Sequence, residues 1–112
     1  MAHTISVEFI ETQIFSSELR RLLPDEPYRH LQLILLLRPE QGAIIKGSGG
    51  LRKIRWGSQT RGKRGGFRVI YYWDKSVEVI YMLLIYDKTD QDDLTPQQLK
   101  ILKKTVEKEL KR

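Results

Sequence analysis

The chain has 112 residues, 40% of them hydrophobic and 30% charged, which suits one small domain over residues 1–112 and is too little for two. No apolar run approaches the ~18 residues of a membrane span, and "MAHTISVEF" does not join a basic region to an apolar stretch as a secretion signal would. Cysteine is absent, which excludes disulfides, thiolate chemistry and cysteine metal sites and fits a reducing cytoplasm, and without an apolar span no membrane partner is expected.

In chain order, "ISVEFIE" alternates as a short first strand. From Thr12 to Leu23, Ile14, Leu19, Leu22 and Leu23 recur at helical spacing, and Pro24 ends the segment. "DEPYRHLQLILLLRPEQG" predicts a second helix, capped by Asp25, with Pro27 in its first turn and Pro39 and Gly42 as its stop. Its "LQLILLL" is apolar nearly all round, which predicts burial on more than one side. Three strands follow: "LRKIRWG", then "FRVIYYW" after a glycine-rich loop, then "VEVIYMLLIY" after the turn "DKS". The last two read as an antiparallel hairpin. "TPQQLKILKKTVEKELKR" predicts a final helix, with Thr95 at the N-cap, Pro96 at the first helical position and Gln98 closing a capping box. Leu99, Leu102, Val106 and Leu110 form its apolar stripe, and Lys100, Lys104, Lys108 and Lys111 a solvated row. The expected fold is α+β: a small antiparallel sheet with two N-terminal helices and a C-terminal helix, all laid on one face.

The net charge is +6, and its distribution is uneven. Between Lys46 and Lys75 lie nine basic residues against one acid, Asp74, a local excess of +8 that leaves the rest of the chain slightly negative. Such a concentration is either a soluble basic face or the footprint of a polyanion, nucleic acid above all. Period-2 alternation puts Lys53 and Arg55 on one face of their strand and Arg52, Ile54 and Trp56 on the other. Arg68 shares a face with Ile70 and Tyr72, opposite Val69, Tyr71 and Trp73. Tyr86 is expected on the face of Met82 and Leu84, with Lys88 just beyond. If the helices cover Ile54, Trp56, Val69, Tyr71 and Trp73, the free face gathers Lys53, Arg55 and Arg68, edged by Tyr86 and Lys88. Cations neutralise phosphates, and tyrosine rings and guanidinium planes stack on unpaired bases, so this surface suits RNA. Lys46, Tyr72 and the loop residues Arg61, Lys63 and Arg64 are candidates for gripping RNA.

Other chemistries find little support. His3 and His30 have no metal-ligand partner at useful spacing. "DKTDQDD" lacks calcium-loop spacing and reads as a solvated turn leading into the last helix. Ser16, Ser17 and Ser48 have no visible base, and the lysine of "KGSGG" precedes its glycines, unlike a phosphate-binding loop.

The segments "IKGSGGLRKIRW", "GKRGGFRVIYYW" and "YMLLIYDK", in this order and spacing, resemble the RelE/ParE superfamily toxins of type II toxin–antitoxin systems, and among them the HigB-like branch. The resemblance implies a RelE-like microbial ribonuclease-type fold and a metal-independent, cofactor-free endoribonuclease. Such an mRNA interferase cuts translated mRNA in the ribosomal A site, against the 16S rRNA region, by attack of the 2′-hydroxyl on the adjacent phosphate. By the same resemblance Lys53, crowded by Arg55, helps activate the 2′-hydroxyl, and Arg68 stabilises the charge growing on phosphorus. Tyr86 and Lys88 fall where the family stacks on mRNA or assists the leaving oxygen. Many members carry further bases after this strand, where this chain has Thr89, Asp90, Asp92 and Asp93. The proton donor would then be Lys88 or Arg64, the latter a poor one. A cognate antitoxin of helix-turn-helix type is also implied. The alternative is a non-catalytic RNA- or ribosome-binding protein on the same fold.

Overall fold

The computed structural model describes residues 6–22, 25–56 and 66–110. The chain runs β1 (Glu8–Glu11), α1 (Gln13–Leu22), α2 (Asp25–Leu37), β2 (Ala43–Ile44), β3 (Arg52–Trp56), β4 (Phe67–Asp74), β5 (Val79–Asp87) and α3 (Pro96–Leu110). These strands form one sheet of order β1-β5-β4-β3-β2. β2 to β5 are an antiparallel meander, and β1 adds to β5 in parallel at the opposite edge from β2. The chain therefore crosses the sheet between β1 and β2, and α1 and α2 make that crossing. The α+β class is as expected. The two-residue β2 is an addition, too short to show alternation in the sequence.

Each face of the sheet has its own core. On one, Phe15 of α1 and Leu31 and Leu35 of α2 pack on Val69, Tyr71, Ile80, Met82 and Ile85, with Ile54, Trp56 and Trp73 at the margin. On the other, Leu102 and Val106 of α3, flanked by Leu99, pack on Leu51, Ile70, Val79, Tyr81, Leu83 and Leu84. The expectation that all helices share one face is corrected here. The reason lies in β5, where every residue from Val79 to Tyr86 is buried. A strand with no polar face must be covered on both sides. α2, by contrast, is covered on one side only: Leu33 and Leu37 stay 52% and 75% exposed despite the apolar run.

The start of α3 and the stop of α2 follow the sequence signals, while Leu23 and Pro24 lie outside the described residues. The Thr95 hydroxyl accepts from Gln98 N–H at 3.0 Å while the Gln98 side chain accepts from Thr95 N–H at 3.0 Å, a complete capping box. After α2, the Gln41 amide donates to the carbonyls of Ile34 and Arg38. Tyr71 Oη donates to Pro39 C=O and accepts from Gly42 N–H, and a Cβ at Gly42 would lie 2.8 Å from that phenol. Only glycine fits there. Arg52 donates to the carbonyls of Glu40 and Gly42, so it ties this crossing to β3 and takes no part in the cationic face. Trp56 Nε1 fixes the start of α2 through Pro27 C=O.

The β4–β5 pairing is interrupted once. Ile70 pairs with Leu84 but Tyr71 pairs with Met82, leaving Leu83 as an extra residue on β5. Thr12 holds this bulge: its hydroxyl donates to Leu83 C=O at 2.9 Å, its N–H donates to Met82 C=O, and its oxygen accepts Phe15 N–H as the α1 cap. Thr12→Ala, which removes a cap and a partner of the bulge carbonyl together, is expected to destabilise the protein by about 1–3 kcal/mol in urea unfolding. Thr12→Ser is expected to retain most of that stability.

Three tyrosines titrate above the ordinary phenol range. Burial and the 2.6 Å bond to Glu11 raise Tyr28 far, and burial raises Tyr71 and Tyr86. A phenol harder to ionise in the fold than in the unfolded chain stabilises the fold below its ordinary pKa of about 10, and that contribution disappears as pH rises beyond it. The melting temperature is expected to fall above pH ~10, and a Tyr28→Phe variant to lose less over that range.

Candidate functional site

Residues directly opposite across a ladder share a face. The register of β3, β4 and β5 therefore makes a row of Arg55, Arg68 and Tyr86, with Lys53, Ile70 and Leu84 in the next row on the same side as α3. The bulge is what brings Tyr86 into line. A hairpin continued without interruption from the Asp74–Val79 pair would set Arg68 opposite Ile85. The expected grouping of Tyr86 with Met82 is corrected accordingly: Leu84 and Tyr86 face α3, and Met82 faces the other core.

Arg55 and Arg68 thus stand as a directly opposed pair of like charges, an arrangement that is unfavourable in itself. Arg55 is exposed, and Arg68 retains 7% of its accessible surface. Beside them Lys53 Nζ lies 3.1 Å from Asp93 Oδ1. Tyr86 is 6% exposed, and its hydroxyl has no hydrogen-bond partner among the described residues. A buried hydroxyl left unbonded costs about 1–3 kcal/mol, and Tyr86 carries that cost within the cationic row. Burial raises the Tyr86 pKa, the charge of Asp93 raises it further, and Arg68 offsets part of the rise. The phenol is accordingly protonated at neutral pH. Asp93 titrates below the usual carboxylate range because it accepts from Lys53 and from Leu94 N–H, with Arg68 adding its field.

Asp93 is the member of this group that sequence reasoning missed. Within "DKTDQDD" it reads as one more solvated acid, and its partner is forty positions away. The available signal was topological: the connection from the end of β5 must pass the cationic row to reach α3. That connection is tightly bonded. Asp87 accepts from the N–H and hydroxyl of Thr89. Gln91 Nε2 donates to Asp93 C=O at 2.8 Å and to Gln98 Oε1 at 2.9 Å.

The remaining candidates are dispersed. Lys88 N–H pairs with Gly66 C=O, which continues the ladder and leaves Lys88 half-exposed two positions past Tyr86. Lys46 is exposed in the β2–β3 connection, at the other end of β3 from Arg55. Tyr72 does not join the cations. It packs in the α3-side core against Tyr81, ring centroids 6.4 Å apart, and over Gly50. Arg61, Lys63 and Arg64 lie outside the described residues. Among the described residues no three or more histidine, aspartate or glutamate side chains gather as a metal site, and no helix is long and apolar enough to cross a membrane. Three cations around a neutral phenol can bind a phosphodiester, stabilise added charge on it and donate one proton to it.

No protein-family model matches the sequence. Solved structures do resemble it. One is a free-state mutant of the E. coli toxin RelE with two arginines changed to alanine, 17% identical, with a TM-score of 0.57 over 77% of this chain and 87% of that one. Another is a chain of the intact E. coli RelBE toxin–antitoxin complex, 17% identical, with a TM-score of 0.56 over 71% of this chain and 94% of that one. A sheet crossed by two N-terminal helices and backed by a C-terminal one is thus common to this chain and these structures: it has the fold of the RelE toxin.

Proposed function

We propose that the protein is the toxin of a type II toxin–antitoxin system, a HigB-like ribosome-dependent endoribonuclease that cuts mRNA in the ribosomal A site. The observation that carries this reading is the row of two opposed arginines ending on a buried, unpartnered phenol. Like charges held face to face on rigid strands, beside a donor without a partner among the described residues, complement an anion with an oxygen that needs a proton. The fold shared with RelE and the sequence segments above support the choice of RNA as that anion.

In this mechanism the ribose 2′-oxygen forms a bond to phosphorus and the bond from phosphorus to the 5′-oxygen breaks. The products are a 2′,3′-cyclic phosphate and a 5′-hydroxyl. Arg55 and Arg68 hold the non-bridging oxygens and stabilise the phosphorane. Lys53, ion-paired to Asp93, acts through its ammonium by holding the phosphate and lowering the charge felt at the 2′-oxygen, and the 2′-proton leaves to water at the exposed margin. The Tyr86 phenol gives its proton to the 5′-oxygen and is reprotonated by water. Tyr86 thus supplies the acid that the sequence left to Lys88 or Arg64, and Lys88 stays as an mRNA contact. Lys46 and the loop bearing Arg61, Lys63 and Arg64 contact the ribosome, as basic side chains suit rRNA phosphates. The RelBE toxin–antitoxin complex among the similar structures supports a cognate antitoxin as the partner; its helix-turn-helix type and the cytoplasmic setting rest on the sequence resemblance alone.

Purified protein with programmed ribosomes and a growth assay test this together. Arg68→Ala is expected to lower cleavage about 10²–10³-fold, as loss of an oxyanion donor does. Lys53→Ala and Arg55→Ala are expected to fall in the same direction, and retained toxicity in all three variants would refute the site. Bound ribosomes with uncut mRNA in the parent protein would support the non-catalytic reading.

Tyr86→Phe separates chemistry from stability. Cleavage is expected to drop about 10²-fold through loss of the acid. Stability is expected to hold or rise by about 1 kcal/mol, because a buried hydroxyl without a partner is removed. A variant that loses stability in thermal unfolding would show that the hydroxyl has a structural bond.

A further inference from the structure

We propose that Asp93 is a positioning residue for this reaction: it fixes the Lys53 ammonium beside the arginine row and is itself held in place from α3. The inference rests on the ribonuclease reading above. Lysine is the one point-like cation of the three: its ammonium lacks the planar fork that orients a guanidinium, and its stem has several rotamers open to it. A phosphate-binding ammonium that wanders gives little pre-organisation, whereas one held to a fixed acceptor arrives in place.

Asp93 is such an acceptor. Its Oδ1 takes Lys53 Nζ at 3.1 Å and Leu94 N–H at 2.8 Å, so the carboxylate is turned by its own backbone toward Lys53. Its carbonyl takes Gln91 Nε2 at 2.8 Å, and the same nitrogen reaches Gln98 Oε1 at 2.9 Å. Gln98 is in turn locked into the capping box of α3 with Thr95. The chain of bonds therefore runs from a helix packed on the sheet, through two glutamine amides, to a single lysine nitrogen. The Asp93 side chain is 67% exposed, and an ion pair so open to water contributes little to stability. Its geometry is the property left to explain.

A carboxylate among cations has another possible role, as an internal competitor for the RNA phosphate. The geometry favours positioning. An ammonium has three donors, and Asp93 takes one, so Lys53 can serve both anions together. The two roles also predict opposite kinetics. A positioning residue lowers kcat when removed and leaves KM nearly unchanged, whereas a competitor lowers KM when removed.

The test uses the full chain with programmed ribosomes, together with binding to an RNA carrying a 2′-deoxy sugar at the cleavage position. D93A is expected to lose about tenfold in kcat, the scale found for outer-shell partners of a working group, with KM and binding of the deoxy RNA little changed. D93N keeps an acceptor but loses the charge, and is expected between D93A and the parent. Gln91→Ala is expected to shift kcat in the same direction. Val106→Ala weakens the packing of α3 on the sheet without touching the chain of bonds from Gln98 to Lys53, so it is expected to lower the melting temperature while kcat holds; a fall in kcat equal to that of D93A would reduce the effect to helix stability. Tighter RNA binding with unchanged kcat in D93A would overturn the proposal in favour of competition, and parent-like kinetics would overturn it outright. Nitrogen-15 NMR of the Lys53 ammonium reads the same contact without activity, and its signal is expected to broaden in D93A. If the parent cuts no mRNA, the ribonuclease reading fails, and the NMR signal still decides whether Asp93 orders Lys53.

Discussion

One hydroxyl contact holds the bulge that sets Tyr86 into the candidate site: Thr12 donating to the carbonyl of Leu83. Side chains on a strand alternate, so one extra residue transfers everything beyond it to the opposite face. Leu83 is that residue, and through it Tyr86 comes to stand opposite Arg68. A bulge carbonyl needs a partner, since its ladder bond is lost. β1 provides one by pairing in parallel with β5 and ending at Thr12. The same threonine begins α1, so the edge strand, the first helix and the orientation of Tyr86 are coupled through one side chain.

The second constraint is the apolar character of β5. Because the strand is buried on both faces, α3 must cover the side that also carries Lys53, Arg55 and Arg68. The cations are consequently not spread over an open sheet. They collect at the margin of a core that ends in Leu84 and Tyr86, where low polarity strengthens their field on a bound phosphate. Two features there work against stability, the opposed arginines and the unpartnered Tyr86 hydroxyl. Local disagreement with folding rules, concentrated in one row of an otherwise consistent sheet, is what a functional surface looks like.

Much of the frame was legible in the sequence because it rests on short-range periodicity. The strand faces of Lys53, Arg55 and Arg68 followed from alternation, and the start of α3 followed from Thr95, Pro96 and Gln98. Three features escaped. The bulge leaves no composition mark, since Leu83 and Leu84 are ordinary β5 residues, and so the face of Tyr86 was misread. Coverage of both faces was implicit in the unbroken run "VIYMLLIY" but was assigned to strand identity alone. Asp93 escaped because its role is a contact between a loop and a strand far apart in the chain. Tyr72 was the converse: an aromatic on the predicted face whose ring completes a core.

Asp93 also changes the electrostatics of the site. Lys53, Arg55 and Arg68 alone present three positive charges, and the Asp93 carboxylate brings the group to a net of +2. A phosphodiester carries one negative charge, and the phosphorane formed after loss of the 2′-proton carries two. A positive site attracts the dianionic phosphorane more than the monoanionic diester, and only that difference accelerates the chemical step. The neutral Tyr86 donor adds a bond that strengthens only as the 5′-oxygen gains charge. The acid in a basic site is therefore consistent with catalysis through position rather than charge: open to water, its carboxylate is largely screened, and it holds Lys53 where the transition state needs it.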